Sequence, residues 1–180
     1  NGAVIDMALS NNIEAFVVSG LRATIKNLTI INANCEVKGG AIFFHESGTV
    51  TNCNFINNHG QDGGVILFYE GGEVSNCNFT NNTAKQQGGA LQFEYNGNVT
   101  NCTFTNNKAA KNGGAIFIYM GNTEITGCNF TYNSLNSTGY GGAVYFETSG
   151  KVENCNFINN TALLEGTPRS AGGAIYFKSG

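Results

Sequence analysis

The chain has 180 residues, a formal net charge of −3, 25 Gly, a single Pro and only 12% charged residues, about half the usual charged share. With no basic cluster, nucleic acid is excluded as an expected partner. The six Cys lack the close pairs of a zinc site, so no metal or other cofactor is expected. In chain order, residues 1–20 hold two apolar strand-like runs, Ala3-Val4-Ile5 and Ala15-Phe16-Val17-Val18, separated by Ser10-Asn11-Asn12. They read as an irregular opening coil. Next comes Ala23-Thr24-Ile25-Lys26-Asn27-Leu28-Thr29-Ile30-Ile31-Asn32, with Gly39-Gly40 behind it.

From there a motif repeats. Asn52-Cys53-Asn54-Phe55-Ile56-Asn57-Asn58 returns at 76–82, 101–107, 127–133 and 154–160. Its cysteines stand at 53, 77, 102, 128 and 155, in steps of 24, 25, 26 and 27 residues. Each copy is preceded by Val50, Val74, Val99, Ile125 or Val152 and followed, after a loop, by a Gly-Gly pair such as Gly63-Gly64. A period of this size in a chain without helical spacing indicates a solenoid with one repeat per coil. Residues 21–180 therefore read as repeats of about 24–31 residues, six to seven coils in all.

The apolar positions alternate with period two, which assigns strands. Ile42 and Phe44, Ile66 and Phe68, Leu91 and Phe93, Ile116 and Ile118, Val144 and Phe146, Ile175 and Phe177 form two wholly apolar columns. The residue between each pair is Phe43, Leu67, Gln92, Phe117, Tyr145 or Tyr176, and this mixed column is expected to face outward. Cys53 and Phe55 should face inward and Asn54 outward. Gly and Asn at the corners supply the left-handed backbone that tight bends need. Three short strands per coil, stacked in parallel, predict an all-β, right-handed parallel β-helix. At ~4.8 Å per coil it would be a rod roughly 30 Å long.

Like residues stack on like in such a fold. Asn58, Asn82, Asn107, Asn133 and Asn160 are predicted to form an amide ladder, each side chain bonding the next coil. Five cysteines fall in one inner column, where an in-register pair would strain a disulfide; they read as buried free thiols acting as small hydrophobes. Cys35 lies off that column, is expected in a loop, and is the one thiol expected to be reactive. The chain ends at Phe177-Lys178-Ser179-Gly180, in the middle of a coil by comparison with Phe146-Glu147-Thr148-Ser149-Gly150. This suggests a fragment of a larger protein whose open strand edges favour end-to-end self-association.

Gly-Gly-Ala-Ile followed by an aromatic, alternating with Phe-x-x-Asn, resembles the repeats of the chlamydial polymorphic outer-membrane proteins. The segments 24–32 and 76–84 (Asn-Cys-Asn-Phe-Thr-Asn-Asn-Thr-Ala) are even more similar to the adhesin-like surface proteins of gut and rumen methanogens. Ile118 and Gly127 depart from the repeat pattern. The resemblance implies an extracellular β-helix on a cell surface, contacting glycans or proteins of another cell, with no membrane insertion of its own in this stretch.

Two outer features are candidate binding sites. One is the column Phe43, Leu67, Gln92, Phe117, Tyr145 and Tyr176, read as an exposed aromatic stripe suited to sugar rings; the alternative is that these residues stack for stability. The other is the loop joining Asn-Asn to Gly-Gly, which grows from four residues at 59–62 to eleven at 161–171 and carries Leu163, Leu164 and Arg169. Sequons are dense, most of them at expected corners or ladders, and Asn136 is the best glycosylation candidate. A pectin-lyase-like polysaccharide lyase or hydrolase is the rival reading. That chemistry needs clustered acids with Arg or Lys, whereas Asp6, Asp62, Arg22 and Arg169 are dispersed. The nearest approach is Glu46 and Glu70 in successive coils with His45 beside them. No catalytic residues are assigned, and a passive stalk remains the plain alternative to an adhesive module.

Overall fold

A computed structural model describes residues 2–8, 12–20, 22–163 and 172–179. It is a right-handed parallel β-solenoid of about six turns without a helix among the described residues. Each coil contributes four short strands rather than three, as in Gly71–Ser75, Asn78–Thr80, Thr83–Ala84 and Leu91–Phe93. The additional one, two residues long in four of the coils, is a strand that polarity patterning does not reveal: too short to show alternation, it exists because its backbone groups pair with neighbouring coils. The strands stack into four parallel sheets, two of seven strands and two of six. The opening segment is part of this pattern, since Ala3–Asp6 pairs with Leu28–Ile31 and Phe16–Val18 with Ile42–Phe44.

Register follows the repeat, residue for residue, except for a bulge where Ser134–Thr138 pairs with Thr161–Leu163. Phe44, Phe68, Phe93, Ile118, Phe146 and Phe177 are partners in successive coils. So are Phe55, Phe79, Phe104, Phe130 and Phe157. In that second row the rings lie nearly parallel with centroids 4.7–5.0 Å apart. This spacing is that of adjacent strands, so stacking is imposed by the backbone and then reinforced by ring contact.

A glycine rule accompanies the Phe44 row. A β-carbon on Gly48, Gly72, Gly97 or Gly150 would fall 2.1–2.4 Å from the ring of Phe44, Phe68, Phe93 or Phe146. Where Ile118 replaces the aromatic, Thr123 stands in the glycine position, in register with Gly97 and Gly150. The smaller side chain makes room for the larger neighbour, so the departure at Ile118 is compensated within its own coil.

The corners are left-handed. Asn27, Asn52, Asn76, Asn101, Gly127 and Asn154 form one row with positive φ, and Asn32, Asn57, Asn81, Asn106, Tyr132 and Asn159 another, all between 53° and 67°. Asn and Gly tolerate this conformation best, which explains why Gly127 substitutes for Asn. Tyr132 has no such tolerance.

The amide ladder forms as predicted. Asn58, Asn82, Asn107 and Asn133 donate through Nδ2 to the next Oδ1 at 2.9–3.1 Å. Each Nδ2 also donates to a buried carbonyl, Ile30, Phe55, Phe79 or Phe104, and each next Oδ1 accepts the backbone N–H of the previous asparagine. A buried primary amide thereby closes the bend without an orphaned group. All six cysteines are free. The column thiols donate to carbonyls two residues back, as Cys77 does to Ser75 at 3.1 Å. Cys35 departs from expectation. It is buried in the strand Asn34–Cys35, in register with Gly60 and hence with the row Ala84, Ala109 and Leu135. Burial pushes its thiol pKa up, which disfavours the reactive thiolate.

Candidate functional site

The sheet of Ile42–Phe44 and its partners carries the predicted stripe on its outer face, and backbone hydrogen bonds place a row of residues on either side. Asp62, Gln87, Asn112 and Tyr140 precede the Gly-Gly pairs and run along one flank. His45, Tyr69, Glu94, Tyr119, Glu147 and Lys178 follow the strands and run along the other. The stripe is therefore the floor of a groove, and the flanking side chains close over much of it. Lys38 Nζ lies 3.8 Å above the Phe43 ring, and the His45 ring is 4.2 Å from it. Gln92 Nε2 donates to Glu94 Oε1 at 2.5 Å, and Tyr145 Oη to Glu147 Oε2 at 2.7 Å.

This corrects the expectation of an exposed stripe. Phe43, Leu67, Gln92, Phe117 and Tyr145 are only 2–7% exposed. They point away from the core, but ring-on-ring stacking along the axis and the two flanking rows exclude water. The row opens at its ends, at Val17 in the first coil, which is 59% exposed, and at the last coils. There Asn112, Tyr140, Tyr145, Glu147, Tyr176 and Lys178 line a cavity of about 340 Å³. The Tyr176 ring lies 4.6 Å from Tyr140 and 5.6 Å from Tyr145. Burial works against ionisation of Glu147, but hydrogen bonds from Lys178 and Tyr145 outweigh it and hold the carboxyl below the usual range.

The exposed aromatics are elsewhere, at residues sequence reasoning passed over. Tyr69, Tyr95, Tyr119 and Met120 are 38–49% exposed and sit at the bend that follows each Ile–Phe strand. Tyr69 and Tyr95 meet edge to face at 6.2 Å. In sequence they appear as an irregular Tyr-Glu, Glu-Tyr and Tyr-Met after each strand, and only the stacking of coils gathers them into a ridge. Immediately after this bend begins the sheet of Gly48–Thr51, Gly71–Ser75 and Asn96–Thr100. Its outer face holds an open groove of about 620 Å³ lined by Arg22, Thr24, Ser47, Thr49, Glu73, Asn96, Asn98, Asn122 and glycines. The glycines Gly48, Gly72 and Gly97 on its floor are explained by the core rings beneath them. The groove's chemistry is that of its amides and hydroxyls, with one cation, Arg22, and one carboxylate, Glu73.

The remaining candidates separate. Leu163 is exposed, while Leu164 and Arg169 lie outside the described residues. Asn136 is exposed on the strand Ser134–Thr138. Other sequon asparagines are engaged in structure: Asn27, Asn81, Asn101 and Asn159 turn the corners, and Asn78 donates to Asn54 across coils at 2.9 Å. Glu46 is half-buried and Glu70 exposed at one bend. Among the described residues no group of three or more His, Cys, Asp or Glu is placed to hold a metal, and no helix is long and apolar enough to cross a membrane. Asp62 is shifted the opposite way from Glu147: burial pushes its carboxyl pKa up, and the charge of Glu94 adds to the shift.

No curated protein and no solved structure matches the chain. The family described as right-handed beta helix region matches over residues 11–180. With the period, the register and four parallel sheets in agreement, the chain belongs to the right-handed β-helix family.

Proposed function

We propose that this chain is a non-catalytic, adhesin-like segment of an extracellular cell-surface protein, which binds glycans or surface proteins of other cells. The observation that carries this reading is the exposed ridge of Tyr69, Tyr95 and Tyr119 beside a groove of hydrogen-bonding side chains, mostly amides and hydroxyls with Arg22 and Glu73 among them. Aromatic faces stack on the C–H faces of sugar rings, and amides and hydroxyls meet sugar hydroxyls, without a cofactor. Because the ridge and groove run along the axis over several coils, a polymer can make several weak contacts at once, which multivalency converts into useful avidity. The Gly-Gly-Ala-Ile and Asn-Cys-Asn-Phe repeats, similar to those of polymorphic outer-membrane proteins and methanogen adhesin-like proteins, support the same assignment.

A glycan array and polysaccharide pull-down test it, run beside a Tyr69→Ser/Tyr95→Ser/Tyr119→Ser variant. Binding that drops at least tenfold in the variant, with unchanged unfolding, is the expected result. A passive spacer is favoured by one observation: the buried ladders stiffen the rod whatever its surface carries. For a spacer, the triple variant alters solubility alone and no glycan or surface protein is retained. A polysaccharide-cleaving enzyme instead releases new reducing ends or unsaturated sugars, and Glu46→Gln or Glu70→Gln abolishes the release.

A further inference from the structure

Gln92 is the only amide in a floor row otherwise made of Val17, Phe43, Leu67, Phe117, Tyr145 and Tyr176. It is 4% exposed, and its Oε1 is buried without any hydrogen-bond partner. A buried acceptor left unpaired costs on the order of 1–3 kcal/mol, so it calls for a physical reason. The surroundings supply oxygen rather than donors. Nε2 is committed to Glu94. The Asp62-Gly63 turn of the preceding coil packs against the Gln92 backbone: a β-carbon on Gly63 would be 3.1 Å from the Gln92 main-chain nitrogen. The half-buried Asp62 carboxylate is near enough to Glu94 for their charges to oppose each other. Lys111 acts on Asp62 only through space, and neither acid has an ion pair among the described residues.

With its N–H₂ turned to Glu94, the Gln92 carboxamide leaves its oxygen buried without a donor. We propose that a hard divalent cation, Ca²⁺, bridges Asp62, Gln92 Oε1 and Glu94, pinning one flank of the groove to the other across the coil boundary. The donor set is two carboxylates and one amide oxygen, with water completing the shell. Such all-oxygen, flexible sets suit Ca²⁺ better than Mg²⁺, which demands tight octahedral geometry. With so few protein ligands the expected affinity is that of extracellular modules, a Kd of about 10⁻⁴–10⁻³ M. Bound Ca²⁺ satisfies the orphaned oxygen and cancels the repulsion between the acids, so it should stabilise the fold by linkage. This inference does not depend on what the protein binds at its ridge.

The test is Ca²⁺ titration of the purified chain, followed by thermal unfolding and by Tb³⁺ luminescence sensitised through tyrosine, since the protein has no Trp and Tyr69 adjoins Glu94 in the flanking row. Wild type should show saturable Tb³⁺ luminescence displaced by Ca²⁺, and a rise in Tm of several degrees at 10 mM Ca²⁺ that equal Mg²⁺ does not reproduce. Asp62→Asn and Glu94→Gln should each weaken binding at least tenfold. Gln92→Leu should raise Tm without Ca²⁺ while losing the response to it, which shows that a folded variant has lost the site. No saturable signal in wild type overturns the proposal. So does an equal response in all four proteins, or an Asp62→Asn variant stabilised without Ca²⁺ while wild type ignores it. That last result assigns the orphaned oxygen to a proton on Asp62 instead.

Discussion

Two rows on the same strands face opposite ways, and both are buried. Phe44, Phe68 and Phe93 point into the solenoid, and Phe43, Leu67 and Gln92 point out of it. The inner row is enclosed by the sheets and admits only apolar residues, with Gly48, Gly72 and Gly97 cleared to fit the rings. The outer row is closed by side chains from the flanking bends, and it tolerates an amide and phenols whose polar ends reach Glu94 and Glu147. Orientation and burial are thus separate properties in a β-helix. A residue can leave the core and still be shielded when neighbouring coils carry long side chains beside it.

The comparison is broken most directly by truncation. Phe93→Ala should cost about 3–5 kcal/mol, because a core cavity cannot refill. Phe117→Ala should cost less, about 2 kcal/mol, because flanking side chains and water can collapse into the space. Equal losses in urea denaturation would mean that the outer row is core in all but direction. The glycine rule is sharpened by a double-mutant cycle. Ile118→Phe alone should destabilise by clashing with Thr123, and Thr123→Gly alone by opening a void. The pair together should recover about 1–3 kcal/mol of coupling. An additive result would show that the two exchanges are independent.

Smaller effects test the corners and the short sheet. Tyr132→Asn should stabilise by about 0.5–1 kcal/mol, since it removes a left-handed strain that Asn tolerates; a loss would mean that the ring contributes packing not apparent in its exposed position. His59 is half-buried, 2.6 Å from the Thr83 hydroxyl, with Glu36 and Lys85 as its charged neighbours. Burial, then Lys85, lowers its pKa, while Glu36 opposes the shift. A lowered pKa contributes stability that is present above the ordinary His value and lost as the pH falls through the folded one. Acidification from pH 7.5 to 5.5 should therefore lower the Tm of wild type by about 1–2 °C more than that of His59→Gln.

Much of this molecule is written in the order of its residues. The 24–27-residue step of Cys53 to Cys155, the alternation around Phe44 and the recurring Asn58 were enough to assign coils, inner columns and an amide ladder. The reason is that a solenoid repeats one local problem, so each coil restates the solution of the last. The two-residue strands were not legible, because they lack a period of their own and exist through pairing. Cys35 looked like a loop thiol for the same reason.

Tertiary structure alone decided what the surface offers. Whether Phe43 to Tyr145 are open to solvent depends on Lys38, His45, Glu94 and Glu147 in adjoining bends, and no local pattern announces that closure. The tyrosine ridge and the approach of the Asp62-Gly63 turn to Gln92 arise likewise from neighbouring coils laid side by side. Sequence period determines which residues share a row; the lengths of the side chains in neighbouring rows determine what solvent and ligands can reach.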